Sequence, residues 1–329
     1  MGQPKTSCSR TGNAGPHATS LAPATVPFPM IPQPLAISGS TSGEWVVVSV
    51  PTYKAKATVA RAVNSLLTQL HKKVVVVVVE DCDPERSSSS LGKIADQRLV
   101  IERSVINAGP YQIHDAVLRA AFDVGVPFFG VQDADDESAP HRLQRCVSLC
   151  LKHAADAAFG GWREIGGGRI TRMQPQLARR AMSSGVLLHF THHGAGVYNT
   201  KSLVELGGYH AGVRVGFDTA VLRVLTDLGR VVYLDEPMYD RHQTQGGLTT
   251  DPKTGYHSAY RKAVCERLTG MVERTMGKAS PLPTIPSDLR AARSRWKSEV
   301  SRAWSPTEEH RSLVSRVRER INGVLRNHE

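Results

Sequence analysis

The sequence has no apolar run long enough to cross a bilayer, for which about twenty residues are needed. The stretch from Leu21 to Ile37 is broken by Pro23, Pro27, Pro29, Pro32 and Pro34, so no secretory signal is expected and any membrane contact would be peripheral. Cysteine is scarce and unpatterned. Cys8, Cys82, Cys146, Cys150 and Cys265 form an odd set without paired metal-type spacing, which argues against a disulfide framework and for a reduced, cytoplasmic compartment. Acid is also short: 30 Asp and Glu face 41 Lys and Arg, for a net charge of +11. That balance suits a polyanionic partner, which nucleic acid, an anionic membrane face or a phosphorylated substrate would each satisfy. No aromatic-basic stacking motif is present, so a nucleic-acid partner rests on charge alone and is not expected.

What is present is a chain of 329 residues, 40% hydrophobic, enough for one large α/β core or two modest domains. Residues 1–43 are rich in Pro, Ser, Thr, Gly and Ala, a composition expected to stay disordered as an N-terminal arm. From Trp45 the pattern changes. Trp45 to Val50 reads as a strand, Pro51-Thr52-Tyr53 as a turn, and Val59, Ala62, Val63, Leu66 and Leu67 mark a helix. Six consecutive valines, Val74 to Val79, predict a strand buried on both faces, hence a parallel sheet covered by helices on each side. Arg98 to Ile101 is a third strand, and the turn Asn107-Ala108-Gly109-Pro110-Tyr111 leads into a helix carrying Ile113, Val117, Leu118 and Ala121.

A fourth strand then ends on carboxylates: Val126 to Asp136 reads Val-Pro-Phe-Phe-Gly-Val-Gln-Asp-Ala-Asp-Asp. Clustered like charges are tolerable only if solvated, capping a helix or neutralised by a cation. Asp133 and Asp135, two apart, can point the same way into the crevice at the strand ends, where hard oxygen ligands suit Mg²⁺ or Mn²⁺. Asp136 and Glu137 read equally well as acids opening a helix through Ser138-Ala139-Pro140. The valine strand also ends on acids, Glu80-Asp81-Cys82-Asp83, where ordinary turn chemistry competes with function.

Further on come Gly207-Gly208-Tyr209, then Gly216-Phe217-Asp218-Thr219 heading a helix, a strand Val231 to Leu234, and Pro237-Met238-Tyr239-Asp240-Arg241-His242. In this order, from about Trp45 to Thr250, the motifs resemble the family 2 nucleotide-sugar glycosyltransferases of GT-A fold. The resemblance implies an α/β protein with a mostly parallel sheet flanked by helices, organised as the arm 1–43, a catalytic domain 44–250 and a basic helical C-terminal extension 251–329. It implies an inverting, metal-dependent transfer from a nucleoside diphosphate sugar, UDP favoured, to a hydroxyl acceptor of unknown class.

By the same resemblance, Asp135 is the principal ligand of Mn²⁺ or Mg²⁺, Asp133 reaches the ribose, the metal or both, and His242 completes the metal or diphosphate site. Arg241 is a diphosphate partner. Pro51, Tyr53 and Asp81 cradle the base, Asp81 accepting from a uracil-type N–H, and Asn107 and Gly109 lie along the donor. Asp218 matches the general base of inverting members. The family usually shows Glu-Asp there and this chain has Phe217-Asp218, so a helix N-cap remains the competing reading of Asp218. The stretch Gln245 to Thr250 is expected to close over the donor.

Trp162, His192 and His193 are assigned to the acceptor side. His189, His192 and His193 have zinc-like spacing, but no Glu stands where a zinc hydrolase helix needs one and glycines surround them, which disfavours zinc. After Thr250, helices are predicted over Tyr256 to Met276 and Asp288 to Trp304, with a linker from Pro281 to Pro286. Ser305-Pro306-Thr307-Glu308 reads as a capping box opening a last helix through Leu325. Their arginines read as a solvated face, with an anionic membrane or a second copy of the chain as the competing contacts. A nucleotidyltransferase is the rival enzyme, but Pro51-Thr52-Tyr53-Lys54-Ala55-Lys56 does not supply its glycine-rich basic loop.

Overall fold

The structure, a computed structural model, describes residues 44–166, 169–173, 191–276 and 288–328. The expected arm, the Pro281 to Pro286 linker and His189 lie outside these residues. The first half alternates strand and helix: β1 Val46–Thr52, α1 Val59–Leu67, β2 Val74–Asp81, β3 Leu99–Ser104, α2 Pro110–Asp123 and β4 Phe128–Val131. Then follow β5 Glu137–Ser138, α3 Arg142–His153, β6 Ala157–Gly166, β7 Arg169–Met173, β8 Gly196–Asn199, α4 Thr200–Glu205, α5 Phe217–Leu228 and β9 Val231–His242. The strands form one sheet in the order β3-β2-β1-β4-β8-β6-β9-β5, with β7 paired to β6. It is parallel from β3 to β4 and turns antiparallel at β8.

The six valines of β2 are all fully buried, and the strand period of two sends Val75, Val77 and Val79 to one core layer and Val74, Val76 and Val78 to the other. Helices α1 and α3 cover the second layer through Val63, Leu66, Leu143 and Val147. The predicted apolar stripe of α1 is the buried one. The first layer lies under α2, α5 and the three helices that follow the sheet, α6 Ala259–Met276, α7 Leu289–Ala303 and α8 Glu308–Arg326.

Those last helices pack onto the sheet domain. Trp296 of α7 is fully buried and stacks on Phe217 at 6.2 Å and 12°. Helix α8 buries Leu313, Val317, Ile321 and Val324 and packs on α2 and β3. Several of the arginines that read as a solvated face are tied to the body of the protein. Arg316 and Arg320 lie 3.5 and 3.4 Å from Glu102. Arg293 donates to Asp156 at 3.1 Å and to the Leu228 carbonyl. The helix start also differs from the capping-box reading: Thr307, not Ser305, is the N-cap, its hydroxyl accepting from His310 N at 3.1 Å. Thr307→Ala is therefore expected to cost about 1 kcal/mol in urea unfolding, while Ser305→Ala changes nothing measurable.

Candidate active site

Strand β4 lies where the all-parallel run of the sheet meets the antiparallel strand β8, and its carboxyl end opens into the crevice where open α/β sheets hold ligands. The chain leaves it as Gln132-Asp133-Ala134-Asp135-Asp136. No helix starts here; Glu137 and Ser138 form β5 against β9, and α3 waits until Arg142. Asp136 is buried, its Oδ1 accepting the His242 backbone N–H at 2.7 Å. Asp133 is pinned by its own N–H, which donates to the Tyr239 hydroxyl at 3.0 Å.

Opposite this loop, the 3₁₀ turn His193–Ala195 brings two imidazoles to Asp133. The approach requires Gly194, because a Cβ there would fall 2.5 Å from the Tyr239 ring. Arg142, wholly buried, holds both sides together by donating to the carbonyls of Val131, at 3.2 Å, and of Gly194. His193 lies with Nε2 3.1 Å from Asp133 Oδ2 and Nδ1 3.1 Å from the Tyr209 hydroxyl. His192 stacks on Tyr239 at 4.7 Å, with Nε2 4.0 Å from Asp133. Burial pushes the Asp133 carboxyl up, but the charge and hydrogen bond of His193, with His192 and His114 behind it, outweigh this and hold it well below the usual carboxylate range. Burial lowers His193 in turn, and Asp133 followed by Asp218 reverse that.

Asp218 occupies the first turn of α5, but the N-cap there is Gly216, and no side chain caps the helix. Asp218 Oδ1 accepts the Tyr111 hydroxyl at 2.5 Å, and its charge is felt at His193 and Tyr209. Phe217, just before it, is fully buried, packed between Trp296 and the Tyr111 and Tyr209 rings. Tyr209 is held by Asp115 of α2, whose Oδ1 accepts the Tyr209 N–H at 2.8 Å and whose Oδ2 lies 3.1 Å from His310 Nε2 of α8.

Asp81 is spent on the polypeptide. It accepts from Ala108 N at 2.5 Å, Gly109 N at 2.8 Å and Asn107 Nδ2 at 3.1 Å, and only 4% of its side chain is exposed. Burial raises its pKa, against the pull of those amides and of Arg214. Arg214 closes the turn from outside by donating to the Asn107 carbonyl at 2.9 Å and to its side chain. Gly109 has φ +89 there, a value that suits glycine. Glu80 and Asp83 are likewise engaged, accepting from Ser88 N and Ser87 N at 2.9 and 3.1 Å. Pro51 pairs with Val79, and Tyr53 beside it is 46% exposed.

Arg241 donates to Glu164 at 3.0 and 3.1 Å and to the Tyr256 hydroxyl at 3.1 Å. Trp162 is buried, gives its Nε1–H to the same Glu164 at 3.2 Å, and has its ring 6.4 Å from His192. His242 turns its ring to Glu137, at 3.0 Å, rather than to the aspartates.

The aspartate loop fits a hard divalent cation. Burial and the neighbouring Asp133 raise Asp135, and burial with Asp133 and Asp135 raises Asp136 well above its ordinary value, a mutual repulsion of clustered carboxylates that a cation would relieve. The tightest ligand-type group among the described residues is Asp133, His192 and His193, with donor atoms within 4.8 Å of one another. The imidazoles suit a cation less well than the carboxylates do. Gly194 N–H donates to His192 Nδ1 at 3.2 Å, which leaves the proton of the neutral ring on Nε2, the atom facing Asp133.

Tyr111, Tyr209, His114 and Arg142 belong to this assembly without being singled out for it by sequence. A signal existed for two of them. His114 shares the stripe of Val117, Leu118 and Ala121, and Arg142 that of Cys146 and Leu149, so each is a titratable group on a buried helix face.

Residues 47–219, just over half the chain, match the family model described as Glycosyl transferase family 2. The succinoglycan biosynthesis protein ExoO of Rhizobium meliloti (strain 1021) is 31% identical over 137 residues, 41% of this chain and 38% of that protein. The chain thus spans well under two thirds of that relative's length. Among solved structures, S. aureus TarS aligns at 17% identity with a TM-score of 0.52 over 70% of this chain and 40% of that one. TarS 1-349 in complex with UDP aligns at 15% identity and a TM-score of 0.50, over 84% and 91%. At these identities the likeness is one of fold.

Proposed function

The chain belongs to glycosyl transferase family 2 and is a glycosyltransferase, and from that premise we propose an inverting, metal-assisted transfer from a UDP-sugar to an acceptor hydroxyl. The observation that carries this reading is the chain of side chains that joins Asp133 to Asp218: Asp133 bonds His193 at 3.1 Å, His193 lies 3.1 Å from the Tyr209 hydroxyl, and the Tyr111 ring, 6.2 Å from that of Tyr209, gives its hydroxyl to Asp218 at 2.5 Å. One acid then serves the donor and the other the acceptor. UDP is favoured because TarS, whose fold this chain shares, was solved with it.

Asp133 and Asp135 would hold Mn²⁺ or Mg²⁺, which when bound supplies charge neutralisation for the departing diphosphate. Arg241 adds a fixed positive charge beside the loop, kept in place by Glu164 and Tyr256. The turn Asn107 to Gly109, clamped by Asp81, lies along the donor and presents backbone where glycine permits close approach. Asp81 thus acts on the base through this turn, and Pro51 and Tyr53 form the adjoining wall. Asp218 takes the proton of the attacking hydroxyl, a single base being sufficient for inverting displacement. Trp162, His192 and His193 line the acceptor side. His242, held by Glu137, stiffens the strand end behind Asp136.

Thermal unfolding with UDP and Mn²⁺ tests the donor side. UDP at one hundred times its Kd should add about 2.7 kcal/mol of stability. The part that depends on Mn²⁺ should vanish in Asp135→Asn. No shift with UDP would remove the donor assignment; a shift indifferent to Mn²⁺ in the wild type would remove the metal.

A further inference from the structure

Tyr111 has no part in the roles assigned above, yet it connects the donor turn to the base. It sits at the second position of α2, directly after Gly109-Pro110, so the amides that Asp81 clamps at Ala108 and Gly109 fix where its ring starts. The ring is buried between Tyr209, at 6.2 Å, and Phe217, which it meets edge-on at 6.0 Å. Its hydroxyl ends on the one residue that the reading above assigns as base, donating to Asp218 Oδ1 at 2.5 Å. A buried donor that cannot turn away from the carboxylate restricts that side chain's torsions.

We propose that Tyr111 is the positioning residue of the transfer reaction: through its hydrogen bond to Asp218 it holds the carboxylate at the angle needed to receive the acceptor proton, and it ties that angle to the donor turn. The proposal rests on Asp218 being the base. Burial and the Asp218 charge raise the phenol well above its ordinary range, so it stays a proton donor over the whole working pH range. Phe217 takes part from the other side. By stacking on Trp296 it sets the first turn of α5, leaving the phenol of Tyr111 as a polar group holding the neighbouring acid. A general base displaced by about 1 Å forfeits roughly a hundredfold in rate, and this lock prevents such displacement.

The test uses Tyr111→Phe, which keeps the ring and its packing and removes only the hydroxyl. The readouts are UDP release from the UDP-sugar that the wild-type protein cleaves fastest, with water as acceptor, and UDP affinity by calorimetry. Tyr111→Phe should lower kcat by about 10–100-fold and leave the donor KM and the UDP Kd within about twofold. In an Asp218→Asn background, the same substitution should have no further effect, because a residue acting only through Asp218 has nothing left to position. An unchanged kcat in Tyr111→Phe, with Asp218→Asn inactive, overturns this proposal and leaves the base standing. Equal losses in kcat and UDP affinity overturn it too, since a collapsed pocket would produce them. Turnover retained in Asp218→Asn removes the base, and this inference with it.

Discussion

Asp218→Asn is expected to lower kcat by about a thousandfold, the middle of the range for a lost general base, while UDP affinity stays within about twofold. The split follows from where the residue stands. Asp218 heads α5, where its carboxylate accepts the Tyr111 hydroxyl at 2.5 Å, while the aspartate loop follows β4. The amide replaces the carboxylate at nearly equal volume and still accepts from the Tyr111 hydroxyl, so the local fold has no reason to change. UDP release in stopped assays, paired with calorimetric UDP binding, reads the two quantities separately. Turnover within tenfold of wild type would place the base elsewhere.

The second large effect is on stability in acid. His210 is 2% exposed, packs edge-on against Trp304 at 4.5 Å, and has no hydrogen-bond partner at either ring nitrogen. Burial pushes its pKa from 6.5 to about 4, Asp115 opposing and His310 and Arg267 reinforcing the drop. His114, fully buried beside Ser49, is pushed to about 3 by burial and by His193. A group with a depressed folded pKa costs nothing above its unfolded value, where both states are neutral. Below it the unfolded chain takes up a proton that the native state refuses, so stability falls with pH until the folded pKa is reached. For His210 the window runs from 6.5 to about 4, and the loss across it is about 3 kcal/mol.

Asp115, whose carboxyl is pushed up by burial but held low overall by His310 and Arg119, adds a further loss below the ordinary carboxylate range. Asp135 and Asp136, with raised values, act in the opposite sense. A single substitution isolates the histidine. His210→Asn should lose about 1.4 kcal/mol less per pH unit than wild type between pH 6 and 4.5, read by urea unfolding at several pH values. Parallel slopes would mean that His210 titrates alike in both states.

Much of this protein was legible from residue order. The six valines of β2 and the stripe of α1 announced a sheet with two covered faces, because periods of 2 and 3.6 are local properties that burial reads directly. The helices after the sheet were also found within a few residues, Ala259–Met276 for Tyr256 to Met276 and Leu289–Ala303 for Asp288 to Trp304. The antiparallel turn of the sheet at β8 was not, since pairing direction depends on strands far apart in the chain.

The candidate site divides in the same way. Which residue types could do chemistry was written in the chain: Asp133 and Asp135 after a buried strand, and Asp218 at a helix start. Which of them face one another was not, because a side chain with several possible partners takes the one that folding brings near. Asp81 closes on amides 27 and 28 residues away, His193 on an aspartate 60 residues away, and Tyr111 on an acid 107 residues away. Sequence by itself thus determined the elements, the family and the supply of acids. The packing of α2, α5 and the His193 turn around the end of β4 decided which acid is neutralised, which is spent on the backbone and which is held by a tyrosine, since hydrogen bonds are made by proximity in space.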